Sequence, residues 1–180
     1  MNDDNRYRQT IIGFAQPWTL VATEQGISEL IYPPQVAEQA GFTEDYSRLP
    51  ENPELFAKFG IIDRLERYFA GEPVEFDDVP LDVRGTPFQR SVWAALQRIP
   101  YGKTWTYGQM AEAMDKPSAV RAVGTAIGRN PLPVVLPCHR VVGSNGALTG
   151  FRGGLEMKKA ILALEGVAAM NPTGHERFRF

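Results

Sequence analysis

TYGQMAEAMDKPSAVRAVGTAIGR, residues 106–129, reads as two short helices joined by a tight turn. Thr106 offers a side-chain oxygen suited to an N-cap, and Tyr107, Met110, Ala111 and Met114 recur on one face. Asp115-Lys116-Pro117 interrupts that pattern, because proline removes an amide donor and disfavours helix in the residue before it. Ser118 is the expected cap of the next helix, 119–129, in which Val120, Val123 and Ile127 face inward and Gly124 permits close packing. This spacing is that of a helix-turn-helix. The outer face of the second helix carries Arg121, Ala122, Thr125 and Arg129, with Ala119 and Ala126 at its edge. A helix that reads the major groove needs long hydrogen-bonding side chains to reach base edges. Small residues flanked by arginines instead suit a narrow minor groove and insertion of an arginine. A surface helix without a partner has the same composition.

Upstream, Thr86 caps a helix that begins at Pro87, with Phe88, Val92, Leu96 and Ile99 as its buried stripe and Pro100-Tyr101-Gly102 as its stop. Residues 1–83 differ in character. Stretches 9–14, 18–23 and 27–32 are strand-like, with Gln25-Gly26 turning a hairpin between the last two. Pro33-Pro34 ends the sheet and a polar loop follows. Leu55, Phe59, Ile62, Leu65 and Phe69 give 54–69 helical periodicity, closed by Gly71, and acidic 72–80 reads as the approach to a linker. The expected fold is α+β: a small antiparallel sheet with a helix over 1–83, then a mainly helical domain over 84–166. Residues 167–180 read as a tail.

Charge divides at the same place. Residues 1–83 hold six Lys/Arg against sixteen Asp/Glu, a net of −10, whereas 84–166 hold eleven against four, a net of +7. Residues 167–180 add +1, so the whole chain nets only −2. Such a split suggests a polyanion partner for the second part, and an acidic half docked on a basic half would produce it equally. An apolar content of 43% is enough for packed cores, and no run of about 18 apolar residues suggests a membrane span. The polar start, with Asp3 and Asp4, is unlike a secretory signal. One cysteine and two histidines exclude an internal disulfide and a multi-thiolate zinc site. A cytoplasmic protein is expected.

Downstream of the second helix, Asn130-Pro131 terminates it and an apolar run leads to Pro137-Cys138-His139-Arg140-Val141-Val142. Val141-Val142 and Ala147-Leu148 are expected to pair as a hairpin around Ser144-Asn145-Gly146. A lone cysteine in an apolar segment is commonly inert core. Here His139 adjoins it, and a thiol becomes a strong nucleophile as the thiolate, which a nearby base or positive charge favours. Neighbours on a strand face opposite ways, so contact requires a turn at Cys138 or a bridging water. Arg140 either adds positive potential or holds the turn. The last helix, 155–165, ends at Gly166 and leaves Glu165 at the negative end of the helix dipole. A carboxylate belongs there if a cation or imidazole faces it; a solvated Glu at a frayed end is the other reading. Cys138, His139 and Glu165 are thus a candidate relay.

The string Pro137-Cys138-His139-Arg140-Val141-Val142 resembles the active-site motif of the O6-alkylguanine-DNA alkyltransferases, also called methylated-DNA–protein-cysteine methyltransferases. The resemblance runs through Gly85-Thr86-Pro87-Phe88-Gln89, Val92-Trp93, Tyr101-Gly102-Lys103-Thr104 and Thr106-Tyr107-Gly108. It continues through Arg121-Ala122-Val123-Gly124, Asn130-Pro131, Gly150-Phe151-Arg152-Gly153-Gly154 and Leu164-Glu165-Gly166. It implies an RNase H-like first domain and irreversible, single-use transfer of an alkyl group from O6-alkylguanine in double-stranded DNA. O4-alkylthymine is a further candidate lesion, and the target base would be flipped out through the minor groove.

The resemblance assigns roles by position. It implies Cys138 as alkyl acceptor, His139 as water-mediated base and Glu165 as the carboxylate that orients it. Tyr107 would protonate the departing guanine or help swing the nucleotide out, and Asn130 would be the hinge between helix and active-site turn. Arg121 would fill the gap left by the base, with Ala119, Ala122, Thr125 and Ser144 against DNA. Backbone groups of Cys138, Val141 and Arg152 would read the guanine edge, while Pro133 and Phe151 would line the alkyl pocket. No cofactor is implied, and the protein is expected to be a monomer in solution. Some family members hold zinc through Cys and His of the first domain; residues 1–83 contain neither, so no metal is expected. Another branch has tryptophan in place of the acceptor cysteine and only binds lesions; Cys138 sets this chain apart from it. Two readings from other classes remain. One is a non-catalytic module that binds alkylated-DNA lesions and marks them for other proteins, with Cys138 incidental. The other is a Cys-His-Glu hydrolase, which would need an oxyanion hole and has no evident use for a helix-turn-helix.

Overall fold

The computed structural model describes residues 5–168, and the chain divides into two compact units after Arg84. The tail expected over 167–180 lies, from 169 onward, outside the described residues.

In the first unit, β1 (Tyr7–Gly13), β2 (Gln16–Thr23) and β3 (Gly26–Ile31) form an antiparallel sheet in sequence order. Phe14 and Ala15 close the first hairpin at φ 50° and 58°, the double left-handed turn whose twist matches paired strands. The second turn falls on Glu24-Gln25, and Gly26 already belongs to β3. The polar loop expected after Pro33-Pro34 contains a short helix, α1 (Pro34–Gln39), opened by proline at its first position.

The single helix expected over 54–69 is two helices. α2 (Pro53–Phe59) and α3 (Ile61–Phe69) meet at Gly60, whose φ of 64° is left-handed and ends one helix as it starts the next. The break re-phases the buried stripe to Phe56, Phe59, Ile61, Leu65 and Tyr68, which pack with Trp18, Leu20 and Ile27 as the unit's core. Segment 72–80 is no linker either. Val74, Phe76 and Val79 are buried, and Ile27 N–H donates to the Pro80 carbonyl at 2.9 Å. A Cβ at Gly26 would sit 2.6 Å from that same carbonyl oxygen, so glycine is required for the approach.

The second unit is helical. α4 (Pro87–Leu96) starts from a capping box in which Thr86 accepts from Gln89 N–H and Gln89 accepts from Thr86 N–H. Val92, Trp93, Leu96 and Ile99 are buried, and Trp93 donates its indole N–H to the Ala126 carbonyl at 2.8 Å. A second capping box, Thr106 with Gln109, opens α5 (Tyr107–Ala113). Thr106→Ala is expected to cost about 1 kcal/mol, seen as a lower urea midpoint at unchanged slope, because α5 loses a cap and the start of the helix carries Tyr107.

The turn and second helix depart from expectation in two ways. Pro117–Ala119 form a single 3-10 turn, so Ser118 caps nothing and α6 (Val120–Gly128) begins from Ala119 without a side-chain cap. Val120 opens α6 at 37% exposure, and burial on that face begins only at Val123. Val123, Gly124 and Ile127 are buried as the periodicity required.

After α6 the chain makes a 3-10 turn, Cys138–Arg140, and runs into β5 (Val141–Val142). β5 pairs in parallel with β4 (Trp105–Thr106) rather than in a hairpin with Ala147-Leu148. The expected turn does form: Gly143 N–H donates to the Ala147 carbonyl at 2.9 Å, and Asn145 Oδ1 accepts from Ala147 N–H at 3.0 Å. Ala147 and Leu148 then bury their side chains instead of forming a strand. α7 (Leu155–Leu164) ends at Glu165 and Gly166, the latter at φ 75°. No helix among the described residues is long and apolar enough to cross a membrane.

Candidate active site

The turn at Cys138 removes the strand geometry that would have parted it from His139. Cys138 N–H donates to the Leu136 carbonyl at 2.7 Å, Arg140 N–H donates to that of Pro137 at 3.0 Å, and Cys138 is 6% exposed. Asn130 straps the preceding loop from inside: its Nδ2 donates to the Leu136 carbonyl at 2.7 Å and its Oδ1 accepts from Leu132 N–H at 2.9 Å. Between those anchors Val134 sits at φ 73°, a left-handed conformation that a β-branched residue rarely adopts.

His139 and Glu165 meet with both side chains wholly buried, Nε2 lying 2.7 Å from Oε1. The same carboxylate accepts from Arg140 Nε and Nη2, each at 3.0 Å, and from Gly102 N–H at 3.1 Å. Arg140 is itself buried, gives Nη1 to the Ile99 carbonyl at 2.6 Å and lies 5.7 Å from the centre of the Tyr101 ring. The open reading of Glu165 is thereby resolved, and Arg140 takes a part that neither of its readings named. Glu165 is a buried, fully engaged carboxylate, and Arg140 is its counter-ion.

The electrostatics follow from burial and these partners. Burial pushes Glu165 up, but His139 and Arg140 together outweigh it and hold the carboxyl at about 2. Burial outweighs the pull of Glu165 on His139 and lowers its pKa, so the imidazole is neutral at pH 7. With Nε2–H given to the carboxylate, Nδ1 is the basic atom. Burial pushes the Cys138 thiol up to about 11, opposed by a hydrogen bond with Asn130 and the charge of Lys158. At rest the sulfur is protonated.

Lys158 is the residue the sequence reading missed. It is 0% exposed, and Nζ donates to the carbonyls of Val141 at 2.6 Å and Thr149 at 2.8 Å. It also lies 6.0 Å from the centre of the Phe151 ring. Burial lowers its pKa to about 8, against the charge of Cys138, which favours the ammonium. The signal was present: Lys158 falls at the helical spacing of Leu155, Ile161, Leu162 and Glu165, the buried stripe of α7.

The remaining candidates fall into two groups. Tyr107 is 7% exposed with its hydroxyl 3.4 Å from Thr149 Oγ1, and Pro133 and Val141 are buried, with Phe151 and Arg152 half-buried. Arg121, Ala122 and Thr125 line the exposed side of α6, Ala119 is half-buried at its start, and Ser144 is exposed on the turn after β5. Among the described residues no group of three His, Cys, Asp or Glu is placed to hold a metal ion.

Comparison with known proteins matches this architecture. Residues 87–167 fit the family described as the DNA-binding domain of 6-O-methylguanine DNA methyltransferase, and residues 17–83 fit its ribonuclease-like domain. The methylated-DNA–protein-cysteine methyltransferase of Mycolicibacterium paratuberculosis is 56% identical over 115 residues, 64% of this chain and 68% of that one. This chain belongs to the 6-O-methylguanine DNA methyltransferase family. A second member, from Mycobacterium bovis, is 51% identical over 123 residues, 68% of this chain and 74% of its own. Among solved members, the Mycobacterium tuberculosis OGT in complex with DNA is 42% identical with a TM-score of 0.74, covering 88% of this chain and 92% of that one. The methyltransferase family's ribonuclease-like and DNA-binding parts thus fall on the two units seen here.

Proposed function

We propose that this protein repairs alkylated DNA by moving the alkyl group of O6-alkylguanine onto Cys138, once per molecule, in the cytoplasm and as a monomer. The observation that carries the reading is the buried turn that seats the sole cysteine beside a His139–Glu165 pair. Double-stranded DNA meets the exposed face of α6. Ala119, Ala122 and Thr125 permit close approach to the minor groove, Arg121 fills the space of the extruded nucleotide, and Ser144 touches the backbone. Asn130 couples the end of α6 to the Cys138 turn. The flipped base lies against Pro133 and Phe151, its edge read by backbone groups of Cys138, Val141 and Arg152.

The transfer balances with side chains and one water. Neutral His139 takes the thiol proton through the water, and Glu165 steadies the imidazolium that forms. The sulfur lone pair forms the S–C bond as the C–O6 bond breaks. Its electron pair leaves with guanine, which Tyr107 protonates; the proton on His139 then restores the phenol. The product thioether is not open to thiol exchange, so no step regenerates the thiol.

Intact mass after incubation with a duplex bearing O6-methylguanine tests the reading: one methyl group per protein, on Cys138, is expected. No gain in mass, or sustained turnover, contradicts it. Arg121→Ala is expected to slow repair of the duplex by about ten-fold or more, since flipping costs a few kcal/mol. A lesion in a single strand should be spared, which a rapid-quench comparison of the two substrates reads directly.

A further inference from the structure

Tyr107 must do something awkward in this scheme. A phenol has one proton and oxygen lone pairs, and it acts as an acid only if that proton is aimed at the departing base. It must also tolerate negative charge once the proton has gone, in a pocket where burial raises its pKa. A hydrogen bond donated into the phenol oxygen meets both needs: it occupies a lone pair, turns the proton elsewhere and supports the phenolate.

Thr149 supplies such a bond. Its Oγ1 donates to the Tyr107 hydroxyl at 3.4 Å, an interaction that pulls the phenol's pKa back down against its burial. The bond is long, as catalytic hydrogen bonds are before the substrate closes the site. What holds Thr149 there is Lys158, whose ammonium grips the Thr149 carbonyl at 2.8 Å and the Val141 carbonyl at 2.6 Å. The preceding loop is pinned by the Gly143–Ala147 bond and the buried side chains of Ala147 and Leu148. A threonine hydroxyl is thereby fixed at the acid from a braced backbone.

We propose that Thr149 is a positioning residue for the transfer step, its hydroxyl donating into the Tyr107 oxygen so that the phenol gives its proton to the departing base. The role rests on Tyr107 being the acid in the reading above. It acts on the chemical step and leaves DNA affinity alone.

The test is the single-turnover rate of methyl uptake at saturating lesion-bearing duplex, with Kd for the same duplex measured in parallel. Thr149→Val keeps the shape and loses the hydroxyl. It is expected to slow transfer about ten-fold at unchanged Kd, part of the ~10²–10⁴ that a positioned acid supplies. Thr149→Ser should return the rate to within about two-fold of the parent, a rescue that restores the hydrogen bond without the methyl group. On a Tyr107→Phe background, Thr149→Val should add no further loss. A Thr149→Val protein as fast as the parent, or faster, overturns the proposal, as does a loss that persists in full without the phenol. If Thr149→Val does not fold, Thr149→Ala carries the same comparisons. A parent protein that takes up no methyl group sinks the functional reading instead, so the two failures are distinct.

Discussion

Glu165→Ala is expected to cost about 3–5 kcal/mol of folding stability, the penalty of removing one partner from a buried ion pair. The substitution strands the Arg140 guanidinium, which is 3% exposed, and takes the acceptor from His139 and Gly102 N–H as well. Urea unfolding at pH 7 reads the loss. Transfer falls too, because an imidazole without its carboxylate has neither a set tautomer nor a stabilised cation. The same pairing makes stability depend on acid. The folded carboxyl titrates at about 2, below its ordinary value of about 4, so the unfolded chain binds more protons between those limits. Its contribution is complete above about pH 4 and disappears as pH falls toward 2. Glu165→Gln should flatten the stability profile across that window, and an unchanged profile would assign the acid response to other carboxylates.

Cys138→Ala is expected to abolish methyl uptake altogether while the protein still binds duplex DNA. No second thiol exists in the chain to take over, and the α6 face proposed to meet DNA is built from residues other than Cys138. Electrophoretic mobility with a lesion-bearing oligonucleotide, run beside intact-mass measurement, separates the two properties. Binding without uptake supports Cys138 as the acceptor; uptake at any rate in this variant assigns the nucleophile elsewhere. The thiol is held at about 11 by burial, so the proposed transfer requires a base for its proton. In the proposed transfer His139 takes the thiol proton, and the Asn130 hydrogen bond and the Lys158 charge, which already pull the thiol down against its burial, favour the thiolate that remains.

What the sequence made legible was local chemistry. The caps at Thr86 and Thr106 mark the true starts of α4 and α5, since a side-chain oxygen three residues ahead of a glutamine works through bonds within one turn. Glu165 was readable because a carboxylate at a helix C-terminus asks for a cation nearby, and the structure supplies both Arg140 and His139. The misreadings share a different cause. Apolar residues are dense enough on both sides of Gly60 to offer a continuous stripe of the wrong phase, so two helices looked like one. Val141-Val142 found a parallel partner in Trp105-Thr106, far away in sequence, which no turn signal announces. Lys158 hid because lysine is an outward-facing residue by default, and only its phase on α7 betrayed it. Residues 72–80 look like a solvated linker until their three apolar side chains are seen packed in the first unit.

Val134 behaves as a loaded spring for which Asn130 is the latch. A left-handed valine costs on the order of 1–3 kcal/mol. The two hydrogen bonds of the Asn130 amide, one at each end of the loop, keep it wound. The segment so held, 132–136, leads directly into the turn that carries Cys138. A strained backbone thus stands four positions ahead of the only sulfhydryl, fastened on both sides by one amide.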